Sequence, residues 1–187
     1  MKKIISGSLL VALAGLVLTG CGATSKSAQS SPSPTPVSAS ASPSNPYGAA
    51  PIDPPATTDP ILELSKGGFD SKYTMAQLIS LGTTEISIYE PFVKLQQSFT
   101  VIPLSKLFSV AGILGTDKVI TKALNDYVYT NTANSFLTAK GYLALKRNGT
   151  DIPYDQGGPV RIVFPSDSTW AKFLDPWNWS LSSISVK

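Results

Sequence analysis

Histidine is absent from this sequence of 187 residues, and its one cysteine, Cys21, lies near the amino terminus. Residues 60–187 therefore contain neither residue type. Histidine and cysteine supply most zinc, copper and haem ligands, most reactive thiols and the usual general base. Their absence disfavours most metal-dependent and nucleophilic catalysis, so the residues alone assign no catalytic residue and no metal ligand.

A strong net charge is also lacking. Residues 60–187 contain 12 Lys or Arg and 10 Asp or Glu, which gives a formal charge of +2. Proteins that bind nucleic acid concentrate positive charge on one face, whereas this charge is weak and scattered. We therefore expect no nucleic-acid partner.

The amino terminus has the pattern of a secretory signal. Two lysines precede an apolar stretch from Ile4 to Leu18, which is short for a membrane span, and small residues follow. The ending "LTGC", Leu18 to Cys21, resembles the bacterial lipobox. That resemblance implies that Cys21 is lipidated and anchors the chain, outside the cytoplasm, to a membrane of a bacterial cell envelope. The alternative is an ordinary signal peptide, which would leave a lone thiol in an oxidising compartment.

Proline is concentrated after this signal. Nine of the 15 prolines lie between Pro32 and Pro60, and nine of the ten residues 31–40 are Ser, Pro, Thr or Ala. Such a composition cannot bury enough apolar surface to fold. It predicts a disordered tether, either a purposeful spacer or a stretch with no preferred length. The chain then divides into a signal peptide (1–20), a lipidated cysteine with its tether (21–59) and a folded domain (60–187).

Hydrophobic spacing in the folded part predicts three short helices and several strands. The helices are predicted in "KYTMAQLISLG", "PLSKLFSVAGI" and "TANSFLTAKG". The strands are predicted in "ILELS", "TTEISIYE", "PFVKLQQSFTVI", "KVITKAL", "DYVYTNT", "YLALKRNGTDIP", "GPVRIVFP" and "WNWSLSSISVK". Because the helices fall between groups of strands, we predict a single compact α+β domain with mixed β-sheets.

Arg161 lies in the middle of the apolar strand of "DQGGPVRIVFPSDSTW", residues 155–170. One interpretation is an anion clamp, because a guanidinium suits phosphate or carboxylate and Gly157-Gly158 would allow close backbone approach. Lys146 and Arg147 would be its basic companions. The other interpretation is an arginine on the solvent face of the strand, or one paired internally with an aspartate, for which the candidates are Asp155 and Asp167.

Aromatic side chains are the other candidates for a ligand pocket, although such residues more often pack in a core or at its rim. The aromatic candidates are Tyr89, Phe92, Tyr127, Tyr129, Trp170, Trp177 and Trp179. The ligand-binding residues that we predict are Arg161, Gly157, Gly158, Tyr89, Phe92, Tyr127 and Arg147.

Three segments, taken in order, resemble the oxidoreductase molybdopterin-binding domain family, which has the sulfite oxidase-type fold. The segments are "YTMAQLISLGTTEISIYEPF" (73–92), "FTVIPLSKLFSVAGI" (99–113) and "NGTDIPYDQGGPVRIVFP" (148–165). The family has a middle motif of the form G-x-P-L-x-x-L-L-x-x-A-G, which is matched here at Pro103, Leu104, Leu107, Phe108, Ala111 and Gly112, with Val101 near the first glycine position. A later motif of the form G-x-P-x-R-x-x-x-P is matched at Gly157, Gly158, Pro159, Arg161 and Pro165.

The sequence departs from this family at the metal. The family's enzymes bind molybdenum through a cysteine just after the strand that corresponds to "TEISIYE", and here that region is Tyr89-Glu90-Pro91-Phe92. A lone carboxylate, as from Glu90, is a poor substitute for a soft thiolate on a high-valent metal. The resemblance implies molybdopterin as cofactor and the missing cysteine disfavours it, so the cofactor is left open.

The function that these features favour is a membrane-anchored extracytoplasmic lipoprotein with an oxidoreductase molybdopterin-binding-like domain. We expect that domain to bind a small anionic ligand or an envelope protein without redox turnover, because a fold alone does not carry function. One alternative is a molybdopterin-dependent oxidoreductase with atypical metal ligation. A second is a purely structural component of the envelope.

Overall fold

A computed structural model describes residues 53–187. The strands are β1 (Leu62–Lys66), β2 (Phe69–Tyr73), β3 (Thr84–Glu90), β4 (Leu95–Pro103), β5 (Lys118–Ala123), β6 (Val128–Thr132), β7 (Tyr142–Arg147), β8 (Thr150–Asp151), β9 (Arg161–Val163) and β10 (Leu181–Val186). The helices are α1 (Met75–Ser80), α2 (Leu104–Val110) and α3 (Ala133–Thr138), with a 3₁₀ turn at Tyr154–Gln156. The predicted signal peptide, Cys21 and most of the predicted tether lie outside the described residues.

The strands form two five-stranded sheets. The first has the order β2-β1-β10-β5-β6, and in it β10 pairs parallel with β1 and antiparallel with β5. The second has the order β3-β4-β7-β8, and β9 pairs antiparallel with β7. The first and last strands of the domain, β1 and β10, are therefore neighbours in the same sheet. The predicted α+β class with mixed sheets is confirmed.

Each helix begins where the sequence predicts it. Thr74 caps α1 in a reciprocal capping box with Gln77, and the Thr132 hydroxyl accepts from the Ser135 amide at the start of α3. The apolar stripe of α2, which is Leu104, Leu107 and Phe108, is buried. Among residues 53–187, no helix has the length and apolar character that crossing a bilayer requires.

Two predictions about strands were wrong. Strand β2 was missed, because its alternating Phe69, Ser71 and Tyr73 follow directly after the glycine turn that seemed to end the first strand. Residues 177–179 are not part of the last strand, which begins only at Leu181. The Trp177–Trp179 segment instead runs beside β9, where the Ile162 amide donates to the Asn178 carbonyl at 3.0 Å. This segment therefore covers the strand that carries Arg161.

Candidate functional site

Arg161 and Glu90 form a buried ion pair. Both side chains are 0% exposed, and Nη2 of Arg161 lies 2.8 Å from Oε1 of Glu90. The interpretation of Arg161 as a solvent-facing residue was therefore wrong. Of the two aspartates considered as internal partners, Asp167 pairs with Lys140 at the surface. The anion that Arg161 binds in this structure is an internal carboxylate.

Strand geometry explains why Glu90 points inward. Side chains two residues apart lie on one face of a strand, so Glu90 shares the inner face of β3 with Ile86 and Ile88. Tyr89 then lies on the outer face, where its amide donates to the Ser166 hydroxyl at 3.2 Å. Because a buried carboxylate is costly unless it is paired, the position of Glu90 requires a cation nearby.

Two aromatic rings cover this ion pair. The guanidinium carbon of Arg161 lies 4.3 Å from the centroid of the Trp179 ring and 6.0 Å from that of Phe92. The rings of Phe92 and Trp179 are themselves 4.3 Å apart in an edge-to-face arrangement. Cation–π contact adds to the stabilisation of the desolvated guanidinium. Arg161 is therefore enclosed by a carboxylate and by aromatic rings.

The two predicted ligand-binding glycines pack against protein atoms. A Cβ on Gly157 would lie 3.1 Å from the Trp179 ring and 3.3 Å from Nη1 of Arg161. A Cβ on Gly158 would lie 1.7 Å from the carbonyl oxygen of Ile152, which no side chain could tolerate. The absence of a side chain at Gly157 thus leaves room for Trp179 and Arg161, and its absence at Gly158 allows the close approach of the Ile152 backbone. A direct contact of either glycine with a ligand stays a prediction.

Four aromatic side chains line a groove of about 200 Å³ at the surface. The groove, which we call the aromatic groove, is lined by Phe92, Ala123, Asn125, Tyr127, Leu174, Asp175, Trp177 and Trp179. Phe92 and Tyr127 are 37% and 43% exposed, so a ligand could reach both rings. Trp179 contacts the Arg161 guanidinium and also lines the groove, which connects the surface feature to the buried ion pair.

The phenol of Tyr127 is the polar group that the structure orients within the groove. It donates to the carbonyl oxygen of Asp175 at 3.0 Å. Burial, followed by the negative charge of Asp175 and the neighbouring Tyr129, raises the pKa of Tyr127 above its usual range. The phenol therefore keeps its proton to a higher pH than an ordinary tyrosine, and that proton is held in the hydrogen bond to the Asp175 carbonyl.

The structure brings only some of the predicted residues together. Phe92 and Tyr127 share the aromatic groove, with Trp177 and Trp179 beside them. Tyr89 does not line the groove, and Arg147, at the end of β7, donates to the side chain of Gln156. Among the other aromatic candidates, Tyr129 and Trp170 pack edge to face against Phe136 and each other.

Three features of the site were missed in the sequence. Leu174 and Asp175 follow no periodic pattern, so no signal placed them in the groove. The inward direction of Glu90 could have been found, because Ile86 and Ile88 precede it at a spacing of two residues.

Within residues 53–187, no group of three or more His, Cys, Asp or Glu side chains is arranged to hold a metal ion.

Comparison with known proteins agrees with this description. A search of curated proteins gave no match. A similar solved structure is the sulfane dehydrogenase SoxCD from Paracoccus pantotrophus, with a TM-score of 0.55 and 14% identity, which shows a likeness of fold alone. That alignment covers 74% of this chain and 40% of the SoxCD chain. The sequence model of the oxidoreductase molybdopterin-binding domain matches residues 72–179, more than half of the chain. The chain therefore belongs to the oxidoreductase molybdopterin-binding domain family.

Proposed function

We propose that this chain is a membrane-anchored extracytoplasmic lipoprotein whose domain binds a small ligand or a partner protein without redox turnover. The observation that carries the proposal is the buried Glu90–Arg161 pair. It lies where the resemblance to the family leads one to expect the metal-binding cysteine. The family fold is thus retained, while the residues at the metal position have a different chemistry.

The described residues do not fit the molybdenum of the family's cofactor. The family's enzymes bind molybdenum through a cysteine thiolate, and residues 60–187 contain no cysteine. The carboxylate oxygen of Glu90 that could replace the thiolate accepts a hydrogen bond from Arg161 at 2.8 Å. Moving Glu90 onto a metal would leave the fully buried guanidinium without that carboxylate. Breaking a buried ion pair in this way costs about 3 to 5 kcal/mol. This cost supports binding without redox turnover.

The aromatic groove is the surface that supports binding best. The exposed rings of Phe92 and Tyr127 offer apolar contact. The Tyr127 phenol oxygen can accept a hydrogen bond, because its one O–H donates to the Asp175 carbonyl. The Arg161 side chain is fully buried, so it gives no support for direct contact with an external anion. We therefore propose that recognition depends on the aromatic rings, and that Arg161 acts by fixing the position of Trp179.

The amino-terminal sequence supports the membrane anchor. Cys21 follows the lipobox-like "LTG", and several acyl chains on one residue hold a protein to a bilayer more firmly than one chain does. The proposed tether would allow the domain to reach on the order of 30 to 40 Å from the membrane. The groove would then be presented to ligands or proteins of the cell envelope.

We predict that the protein contains molybdenum and pterin far below one equivalent per chain when it is produced in cells that synthesise the cofactor. The reason is that the carboxylate of Glu90 is held by Arg161. Elemental analysis and pterin fluorescence of the purified full chain measure both. A family enzyme with the metal-binding cysteine, made in the same cells, is the positive control. Stoichiometric molybdenum in this protein would show that the domain is a cofactor-dependent oxidoreductase.

Replacement of Cys21 by alanine should abolish labelling with a palmitate analogue and release the protein from the membrane fraction. Cys21 is the one cysteine of the chain, so no other thiol can replace it. Metabolic labelling followed by fractionation measures the change. Ser25→Ala, four residues further along, should retain both label and membrane association. Persistent acylation of the Cys21→Ala protein is incompatible with the proposed anchor.

A photoreactive amino acid at Leu174 should capture whatever occupies the aromatic groove in intact cells. Leu174 is exposed and lines the groove, whereas Leu114 is exposed and does not. We expect one discrete adduct from position 174 in the full-length protein, identified by mass spectrometry, and its loss when Tyr127→Ala is added. The same probe at Leu114 should not form it. Equal adducts from both positions, or none from position 174, would argue against binding at the groove.

A further inference from the structure

A second, larger cavity lies outside the aromatic groove. Its volume is about 460 Å³, which is within the range of small-molecule sites, and it shares no lining residue with the groove. Its walls come from three places: the segment Pro54–Asp59 before β1, the helix α1, and the turn Ile152–Tyr154 after β8. We call it the α1 cavity. The function proposed above does not use it.

Helix α1 presents an apolar face to this cavity in addition to the face that packs on the core. Leu78 is fully buried in the core. Met75 and Ile79, four residues apart, line the cavity together with Ala76. Ile79 remains 40% exposed, so the core does not account for its position. Ile152 and Pro159 add further apolar surface from the opposite elements.

The charged groups at the cavity have protein partners. Nζ of Lys146 lies 3.6 Å from a carboxylate oxygen of Asp151, the residue directly across the β7–β8 ladder. Oδ2 of Asp59 accepts the amide of Ala56 at 2.8 Å, which closes the turn that forms one wall. The opposite charges of Lys146 and Asp151 offset each other, and the Asp59 carboxylate has a structural role. An anionic ligand would therefore find no cation without an acidic partner, and it would also meet the Asp59 carboxylate.

Two uncharged hydroxyl groups, those of Thr57 and Tyr154, belong to residues that line the cavity. Tyr154 contributes its side chain to the wall, and burial, followed by the charge of Asp59, raises the pKa of its phenol. The phenol consequently stays protonated at neutral pH and can donate to a ligand oxygen. A mostly apolar cavity with a few uncharged polar groups is typical of a site that binds a small uncharged molecule.

We propose that the α1 cavity binds a compact, uncharged, largely apolar molecule that carries one hydrogen-bond acceptor. Apolar walls from Met75, Ile79 and Ile152 would supply most of the affinity, because they remove ligand surface from water. The Tyr154 phenol would orient the bound molecule.

Met75 provides a direct reporter of the cavity. The chain has two methionines, Met1 and Met75, so a ¹³C-methyl label gives few signals, and Met75→Leu assigns the one from the cavity. We would titrate the full acylated chain, in lipid nanodiscs, with 2-naphthol as the uncharged probe. Saturable movement of the Met75 signal is expected. The matched anion 2-naphthalenesulfonate should bind about tenfold more weakly or not at all, because it would be desolvated without a counter-ion.

Filling the cavity should abolish this response. Ala76→Phe places a ring in the cavity and should weaken 2-naphthol binding about tenfold or more by steric exclusion. Ser80→Phe adds the same ring to an exposed position of α1 outside the cavity and should leave binding unchanged. If Ala76→Phe fails to fold, Ile79→Glu tests the same wall by adding a charge at an exposed position.

Three results would overturn the proposal. They are a Met75 signal that does not move, equal affinities for the naphthol and the sulfonate, and equal effects of Ala76→Phe and Ser80→Phe. Leu174→Glu, in the aromatic groove, should leave the Met75 response intact. Loss of the response in Leu174→Glu alone would assign the probe to the groove, which would contradict the cavity site and leave the proposed function standing.

Discussion

The buried pairing of Arg161 with Glu90 is the constraint on which the rest of the site depends. Two buried charges are costly unless opposite charges lie close together, so the end of β3 and the start of β9 must be placed to keep the two atoms 2.8 Å apart. Trp179 and Phe92 then exclude water from the guanidinium. A side chain on Gly157 would crowd Trp179 and Arg161, and the backbone there has a φ of 87°, which residues with side chains rarely adopt. The aromatic groove is the outer surface of this arrangement.

This arrangement lies within the fold of the oxidoreductase molybdopterin-binding domain family. At the end of β3, where the resemblance leads one to expect the metal-binding cysteine nearby, Glu90 forms an ion pair with Arg161. A fold does not determine chemistry when the residues at its site change. The sequence motif suggested that Arg161 could bind an external anion. In the structure Arg161 instead binds the carboxylate of Glu90, from the same chain.

Local patterns in the sequence were sufficient for most of the elements. Helices α1 to α3 and most of the strands followed from the spacing of apolar residues. The Glu90–Arg161 contact joins residues 71 positions apart, and no local pattern carries such a distance. The groove could not be predicted either, because Leu174 and Asp175 lie in an irregular segment with no periodic pattern. Strand β2 was missed because it follows directly after the glycine turn Gly67-Gly68, which predicts the end of the first strand.

The most direct test of this account is a double-mutant cycle between Glu90 and Arg161, measured as the free energy of unfolding in urea. We predict that Glu90→Ala and Arg161→Ala each lower this free energy by about 3 to 5 kcal/mol, since each leaves a buried charge without its partner. The double variant should lose far less than the sum of the two. Additivity of the single effects within about 0.5 kcal/mol would show that the two side chains do not depend on each other, and would contradict the account.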